Sequence, residues 1–159
     1  NNIKELPVNV IVIGDGRYKK TALNLIKEKG LENHFNFLDS FPSTEMPKFF
    51  AHADGLLVSL KKNKIFSLTI PAKIQSYLAC AKPIIASIDG IGAKIVTDAN
   101  CGVVSPAENM LVLSDRIKEL MSLDKSKLYE MGMNSRTYYE KEFDRTYLLE
   151  KLEAILEDR

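Results

Sequence analysis

Short β-branched runs that alternate with helical stretches along the whole chain restrict it to the α/β class. Val8 to Ile13 is the first such run. It ends in Gly14-Asp15-Gly16, and a helical pattern with Leu23, Leu25 and Ile26 among lysines follows and closes at Gly30. Phe35-Asn36-Phe37-Leu38, Gly55 to Leu60, Pro83-Ile84-Ile85-Ala86 and Gly102-Val103-Val104 read as the later strands. Ser43 or Thr44 is the expected cap of a helix with Pro47 in its first turn that runs through Phe49, Phe50 and Ala53. A second helix is expected from Ala72 to Ala81, with Ile74, Tyr77 and Leu78 on one face. A third is expected around Lys94 to Asp98, after the turn Asp89-Gly90-Ile91-Gly92. Helices over Glu108 to Leu123, Lys125 to about Lys141 and Asp144 to Glu157, the last capped by Asp144, complete the pattern. Strands alternating with helices in this way lie parallel and are joined by right-handed crossovers, so the expected fold is a doubly wound parallel sheet flanked by helices.

At 159 residues and 45% apolar content the chain suffices for one continuous core, and residues 1–159 read as a single domain. The start at Asn1, with no initiator Met, reads as a domain excised from a longer chain. Lys and Arg number 22 against 21 Asp and Glu, so no global field points to nucleic acid or to an anionic membrane, and any anion site is local. Cys80 and Cys101 lie in a helix and a strand without metal-ligand spacing, which fits a reducing compartment and argues against zinc. No apolar run approaches the roughly 18 residues that span a bilayer, and no charged-then-apolar leader opens the chain, so a cytoplasmic location is expected.

Two places suit an anion. Gly14-Asp15-Gly16 lies between a strand and a helix, where backbone N–H groups at a helix start can meet a phosphate; a tight structural turn is the competing reading. Pro71-Ala72-Lys73 heads a helix that follows a strand and the basic stretch Lys61-Lys62-Asn63-Lys64, a candidate mobile loop at a strand end. Backbone donors and the positive end of the helix dipole suit a diphosphate there, with Lys73 as a point charge; a solvated first-turn lysine is the alternative. The pattern holds no nucleophile elbow, no phosphate-binding glycine-lysine loop and no paired carboxylates at glycosidase spacing. His34 and His52 are isolated, and Tyr138, Tyr139, Met131 and Met133 read as packing residues.

Taken in order, Val-Ile-Gly-Asp-Gly, Phe37-Leu38-Asp39-Ser40-Phe41-Pro42, Ala53-Asp54-Gly55, the run from Tyr77 to Ala86, Cys101-Gly102-Val103-Val104 and the closing Phe143-Asp144 resemble the C-terminal domain of family-four retaining glycosyltransferases of GT-B architecture. The resemblance runs from about Val8 to the terminal helix. It implies a Rossmann-like half of a GT-B fold that holds a nucleotide-sugar donor, with UDP expected as the nucleotide. An absent N-terminal domain would bind a polysaccharide or lipid-linked acceptor. It further implies that this fragment alone is inactive, and that any membrane contact, peripheral on the inner face of the plasma membrane, is made through the full-length protein.

Carried over position by position, the resemblance matches Gly14 and Gly16 to a glycine turn facing the cleft, and Ser40 and Phe41 to a loop whose backbone contacts the base. It matches Pro71, Ala72, Lys73 and Ile74 to the helix start that receives the diphosphate. The family commonly carries two glutamates eight positions apart, and here these positions are Leu68 and Ser76. Ser76 offers a ribose one neutral partner where a carboxylate takes both hydroxyls. The string from Ile70 to Leu78 instead resembles a bacterial subgroup of amino-sugar transferases, of N-acetylfucosamine type, acting in surface polysaccharide synthesis. No cofactor or metal and no catalytic side chain is expected within this chain. A non-catalytic nucleotide-sugar-binding module is the alternative to a transferase domain, and a purely structural interaction domain is the third reading.

Overall fold

Every apolar run becomes a strand in the computed structural model, which describes residues 4–157. The strands are β1 (Val10–Ile13), β2 (Phe35–Leu38), β3 (Leu56–Ser59), β4 (Ile84–Ser87) and β5 (Gly102–Ser105). The helices are α1 (Lys19–Glu28), α2 (Met46–Ala51), α3 (Lys64–Ser67), α4 (Ala72–Ala79), α5 (Ile91–Asp98), α6 (Met110–Ser122), α7 (Lys125–Glu142) and α8 (Arg145–Glu157). All strand pairs are parallel, as crossovers through helices require. They form two hydrogen-bonded sheets, β1-β2 and β3-β4-β5. The chain divides into two units, Asn1–Met46 and Pro47–Arg159.

In the first unit β1 pairs with β2 from Val10↔Phe35 to Ile13↔Leu38. The Gly14 N–H carries the ladder one step further, donating to Leu38 O at 3.1 Å. Asn36 Nδ2 donates to Asn9 Oδ1 at 2.6 Å, and the His34 ring meets Val8 O at 3.0 Å, which gives that histidine a structural role. Leu31 is the only buried residue of this unit among those described.

The second unit has a full core. Leu56 and Val58 of β3, Ile84 and Ala86 of β4, Ile74, Tyr77 and Leu78 of α4, and Ile95 and Val96 of α5 pack together with Ile88 and Cys101. Phe50 meets Tyr77 edge to face at 5.2 Å, and the Tyr77 hydroxyl donates to Leu57 O at 3.3 Å. Burial pushes the Cys101 thiol up to about 11, so it acts as a small apolar residue. Helix α7 closes the far ends of two other helices. Arg136 donates to Ala79 O at the end of α4, Asn134 to Asn100 O beyond α5, and Ser135 to Lys82 O. Gly132 permits this approach, since a Cβ there would lie 2.4 Å from Ala81 O. Tyr138 and Tyr139 pack on the core, as their spacing suggests.

Several boundaries differ from the sequence reading for local reasons. Ser43 and Thr44 cap nothing with their side chains: Ser43–Glu45 is a 3-10 turn whose N-cap is Pro42, and α2 stops at Ala51. Lys64 belongs to the short helix α3, whose N-cap Asn63 accepts the Ile65 N–H at 2.8 Å, so only Lys61 to Asn63 stay outside a helix. Helix α4 ends before Ala81, where φ is 54°. Glu108 cannot start α6 because its φ is 59°; Asn109 caps the helix instead. Asp144 caps α8, accepting the Tyr147 N–H at 3.1 Å.

Asp124 caps α7 by accepting the Lys127 N–H at 2.8 Å. Asp124→Ala is expected to cost about 1 kcal/mol, seen as a fall of about 3 °C in Tm; an unchanged Tm would show that α7 is held by its side-chain contacts alone.

Candidate functional site

Parallel sheets place ligands at the carboxyl ends of their strands, where helix N-termini also gather. In the second unit β3 ends at Ser59, and the Leu60 N–H adds one more bond to Ser87 O at 3.1 Å. Lys61 and Lys62 follow, both exposed, then α3 and the short connection to α4. Pro71 is the N-cap of α4 with φ −62° and has no side-chain cap to offer. The Ile74 N–H turns back to Pro71 O at 2.9 Å. The amides of Ala72 and Lys73 therefore head the helix without a capping side chain, at the positive end of its dipole. Ile74, Tyr77 and Leu78 anchor α4 in the core and hold this helix start in place.

A second helix start packs against the first. Gly90, with φ 74°, is the N-cap of α5, again without a side-chain cap. A Cβ on Gly92 would lie 3.1 Å from both Pro71 Cδ and Ile74 Cδ1, so the first turns of α4 and α5 are in contact. The nearby carboxylate Asp89 is occupied elsewhere, accepting the Ala107 N–H at 3.1 Å. Two uncapped helix N-termini thus lie side by side at the carboxyl ends of β3 and β4, and this geometry attracts an anion. Lys73 is exposed on the first turn of α4. Ser76, one turn on, is exposed, and its hydroxyl donates to Ala72 O at 3.2 Å; its oxygen keeps lone pairs for an external donor.

In the first unit Gly14 has φ 127°, a conformation that favours glycine, and its N–H is taken by Leu38 O. Its role is therefore structural at the amide. The turn opens on a cavity of about 340 Å³ lined by Gly14, Gly16, Arg17, Tyr18 and Phe37 among others. Nothing lies within 4 Å of a Cβ built on Gly16. Lys19 ties the turn to the end of β2, meeting Asp15 at 3.5 Å and Asp39 at 3.1 Å. Ser40 and Phe41 come just after Asp39 and are exposed.

Pro71, Ala72, Lys73, Ile74 and Ser76 thus share one helix start, and Gly14 and Gly16 share one turn. The sequence reading missed Gly90 and Gly92 as partners of the α4 start, although they repeat the glycine-x-glycine spacing of Gly14 and Gly16 after a strand. It also missed Arg17 and Tyr18. His52 is exposed and its ring meets Lys48 O at 2.7 Å.

A model of the family described as glycosyl transferases group 1 matches residues 2–138. An uncharacterized glycosyltransferase of Methanocaldococcus jannaschii is 27% identical over 140 residues, covering 87% of this chain and 38% of its own length. Among solved structures, Anabaena HepE in complex with UDP aligns with a TM-score of 0.85 at 20% identity, across 99% of this chain and 43% of HepE; HepE with UDP-glucose aligns with a TM-score of 0.82. The C-terminal domain of LpcC, a group 1 family glycosyl transferase of Francisella tularensis, aligns with a TM-score of 0.71 at 20% identity, across 91% of this chain and 74% of that domain. The parallel sheets flanked by helices match GT-B glycosyltransferase structures, and the chain spans only about two fifths of the archaeal relative and of HepE.

Proposed function

The chain belongs to the glycosyl transferases group 1 family, and we propose that it holds the nucleotide-sugar donor for transfer, with retention, to a polysaccharide or lipid-linked acceptor. The observation that carries this reading is the pair of uncapped helix starts of α4 and α5 in contact through Gly92. Backbone amides of Ala72 and Lys73 receive the diphosphate, and the Lys73 ammonium adds a point charge. As the glycosidic bond breaks, negative charge grows on that diphosphate, and fixed dipoles stabilise it without reorganising. No metal is needed for this role.

UDP is the proposed nucleotide, supported by the UDP and UDP-glucose complexes of HepE. A hexose or N-acetylhexosamine, of the N-acetylfucosamine type, is the proposed sugar. In the first unit Ser40 and Phe41 would offer backbone to the base, and Gly14 and Gly16 would line its glycine turn. Acceptor binding belongs to polypeptide outside this chain, so these residues alone would bind donor without turnover. Any peripheral contact with the inner face of the plasma membrane would belong to the longer protein. Among the described residues no helix is long and apolar enough to cross a membrane.

Leu68 and Ser76, where the family commonly has carboxylates, favour a second reading, a nucleotide-sugar-binding module without catalysis. A longer protein that includes the acceptor domain would then bind UDP-sugars and turn none over.

Thermal unfolding with UDP, GDP and ADP tests the donor reading. UDP at about a hundred times its Kd is expected to add roughly 2.7 kcal/mol, with smaller shifts for the other two. Lys73→Ala is expected to weaken UDP about fivefold and to leave the ligand-free Tm unchanged, because Lys73 is exposed. An unchanged affinity would remove the diphosphate from α4, and a preference for GDP or ADP would overturn the choice of UDP.

A further inference from the structure

We propose that the segment from Lys61 to Ile70 is a strap that closes over the bound donor, with Lys61, Lys62 and Lys64 as further donor-binding residues; this rests on the diphosphate site at the α4 start. The strap is tethered beside that site at both ends. It leaves β3 after Leu60, whose N–H still bonds to Ser87 O, and re-enters the fold at Pro71, the N-cap of α4. Between these ends Ser67 alone is half-buried and the rest are exposed. A Cβ on Gly90 would lie 1.9 Å from Ser67 O, so the strap rests on the N-cap of α5 at that residue. No hydrogen bond fastens it to the rest of the chain among the described residues. The Ile65 N–H donates to Asn63 Oδ1 at 2.8 Å, the Ser67 hydroxyl to Lys64 O at 2.8 Å and the Thr69 hydroxyl to Phe66 O at 3.2 Å, all within the segment.

The chemistry of the strap fits a diphosphate that carries a sugar. From Gly55 to Ile88 the chain has five lysines and no Asp or Glu, in a protein of nearly balanced charge. Lys61, Lys62 and Lys64 are exposed, and none of them is in an ion pair among the described residues. Three like charges this close in sequence repel one another, and a diphosphate held at the α4 start relieves that repulsion. Lys73 alone leaves part of the diphosphate charge unmatched. The same segment puts apolar surface into water, with Ile65 69%, Phe66 43% and Leu68 64% exposed. Closure buries these side chains over the sugar and excludes water from the bond that breaks. A segment with so few anchors opens and closes at low cost, as a lid must.

Amide hydrogen exchange read by NMR, with and without saturating UDP, tests the strap. The Ser67, Leu68 and Thr69 amides bond only to Asn63 O, Ile65 O and Phe66 O, so their exchange reports opening of the segment. UDP is expected to slow all three at least about tenfold, and to slow the Lys73 amide with them. The triple variant Lys61→Ala, Lys62→Ala, Lys64→Ala is expected to weaken UDP about tenfold, the value of three exposed ion pairs, and to abolish the slowing at the strap. Its ligand-free Tm should be unchanged, because the three side chains are exposed and have no partner to lose. Slowing at Lys73 with none from Ser67 to Thr69 leaves the donor reading standing and overturns the strap. No slowing at either place, with no UDP bound, overturns both. Slow exchange from Ser67 to Thr69 in the ligand-free chain, or a triple variant that keeps full affinity or keeps the slowing, overturns the strap alone.

Discussion

Gly90→Ala is expected to destabilise the second unit by about 3 kcal/mol or more and to abolish UDP binding at any concentration that saturates the unaltered chain. Gly90 has φ 74° and ψ −140°, a backbone region that side chains penalise. Space is the larger problem. A Cβ there would lie 1.9 Å from Ser67 O and 2.6 Å from Ser67 C and Cα, all backbone atoms that no rotamer change can move aside. Relief requires the end of α3 and the start of α5 to separate. Gly92 lies so close to Pro71 and Ile74 that a Cβ on it would come within 3.1 Å of both, so that separation pulls apart the two helix starts that make the anion site. Gly16→Ala is the control, since a Cβ there meets nothing within 4 Å and the change should be near neutral for folding. Urea unfolding of both variants decides the matter. A Gly90→Ala protein of unaltered midpoint and UDP affinity would mean that α5 does not hold the α4 start in place.

The contrast between Gly90 and Pro71 explains how much of this molecule was legible beforehand. Strand identity and direction followed from local pattern, because an apolar β-branched run between helices has few alternatives, and all five runs became parallel strands. The Pro71-Ala72-Lys73 helix start was visible for the same reason: proline ahead of an amphipathic stretch is a local signal. Gly90 and Gly92 looked like an ordinary turn because what gives them meaning is Ser67 and Pro71, some twenty residues away in sequence. Helix α3 escaped notice because four residues carry no periodicity, and Asn63 was its only marker. Glu108, placed in a helix by composition, adopts φ 59° because the chain must turn there into the Asn109 cap. The division into two hydrogen-bonded sheets depends on which strands are neighbours, and periodicity within one strand does not report that.

Ser76→Glu is expected to raise UDP affinity at least about tenfold, the value of exchanging one neutral hydrogen bond for a charged, two-oxygen acceptor. Ser76 is exposed on α4, and its hydroxyl proton goes to Ala72 O at 3.2 Å, so the side chain can only accept from a ligand, and with one oxygen. The family resemblance aligns this position with a glutamate that holds the ribose hydroxyls. A carboxylate there would accept from the 2′ and 3′ hydroxyls together. The substitution suits the helix, since glutamate has higher helix propensity than serine and loses the bond back to the i−4 carbonyl that competes with regular helix. Titration calorimetry with UDP and with 2′-deoxy-UDP separates ribose recognition from a general effect. The gain should fall sharply with the deoxynucleotide, because one acceptor oxygen then has no donor to meet. An equal gain with both ligands would place the new carboxylate away from the ribose. No gain with either would place the nucleoside away from α4, leaving the helix starts of α4 and α5 to hold an anion of another kind.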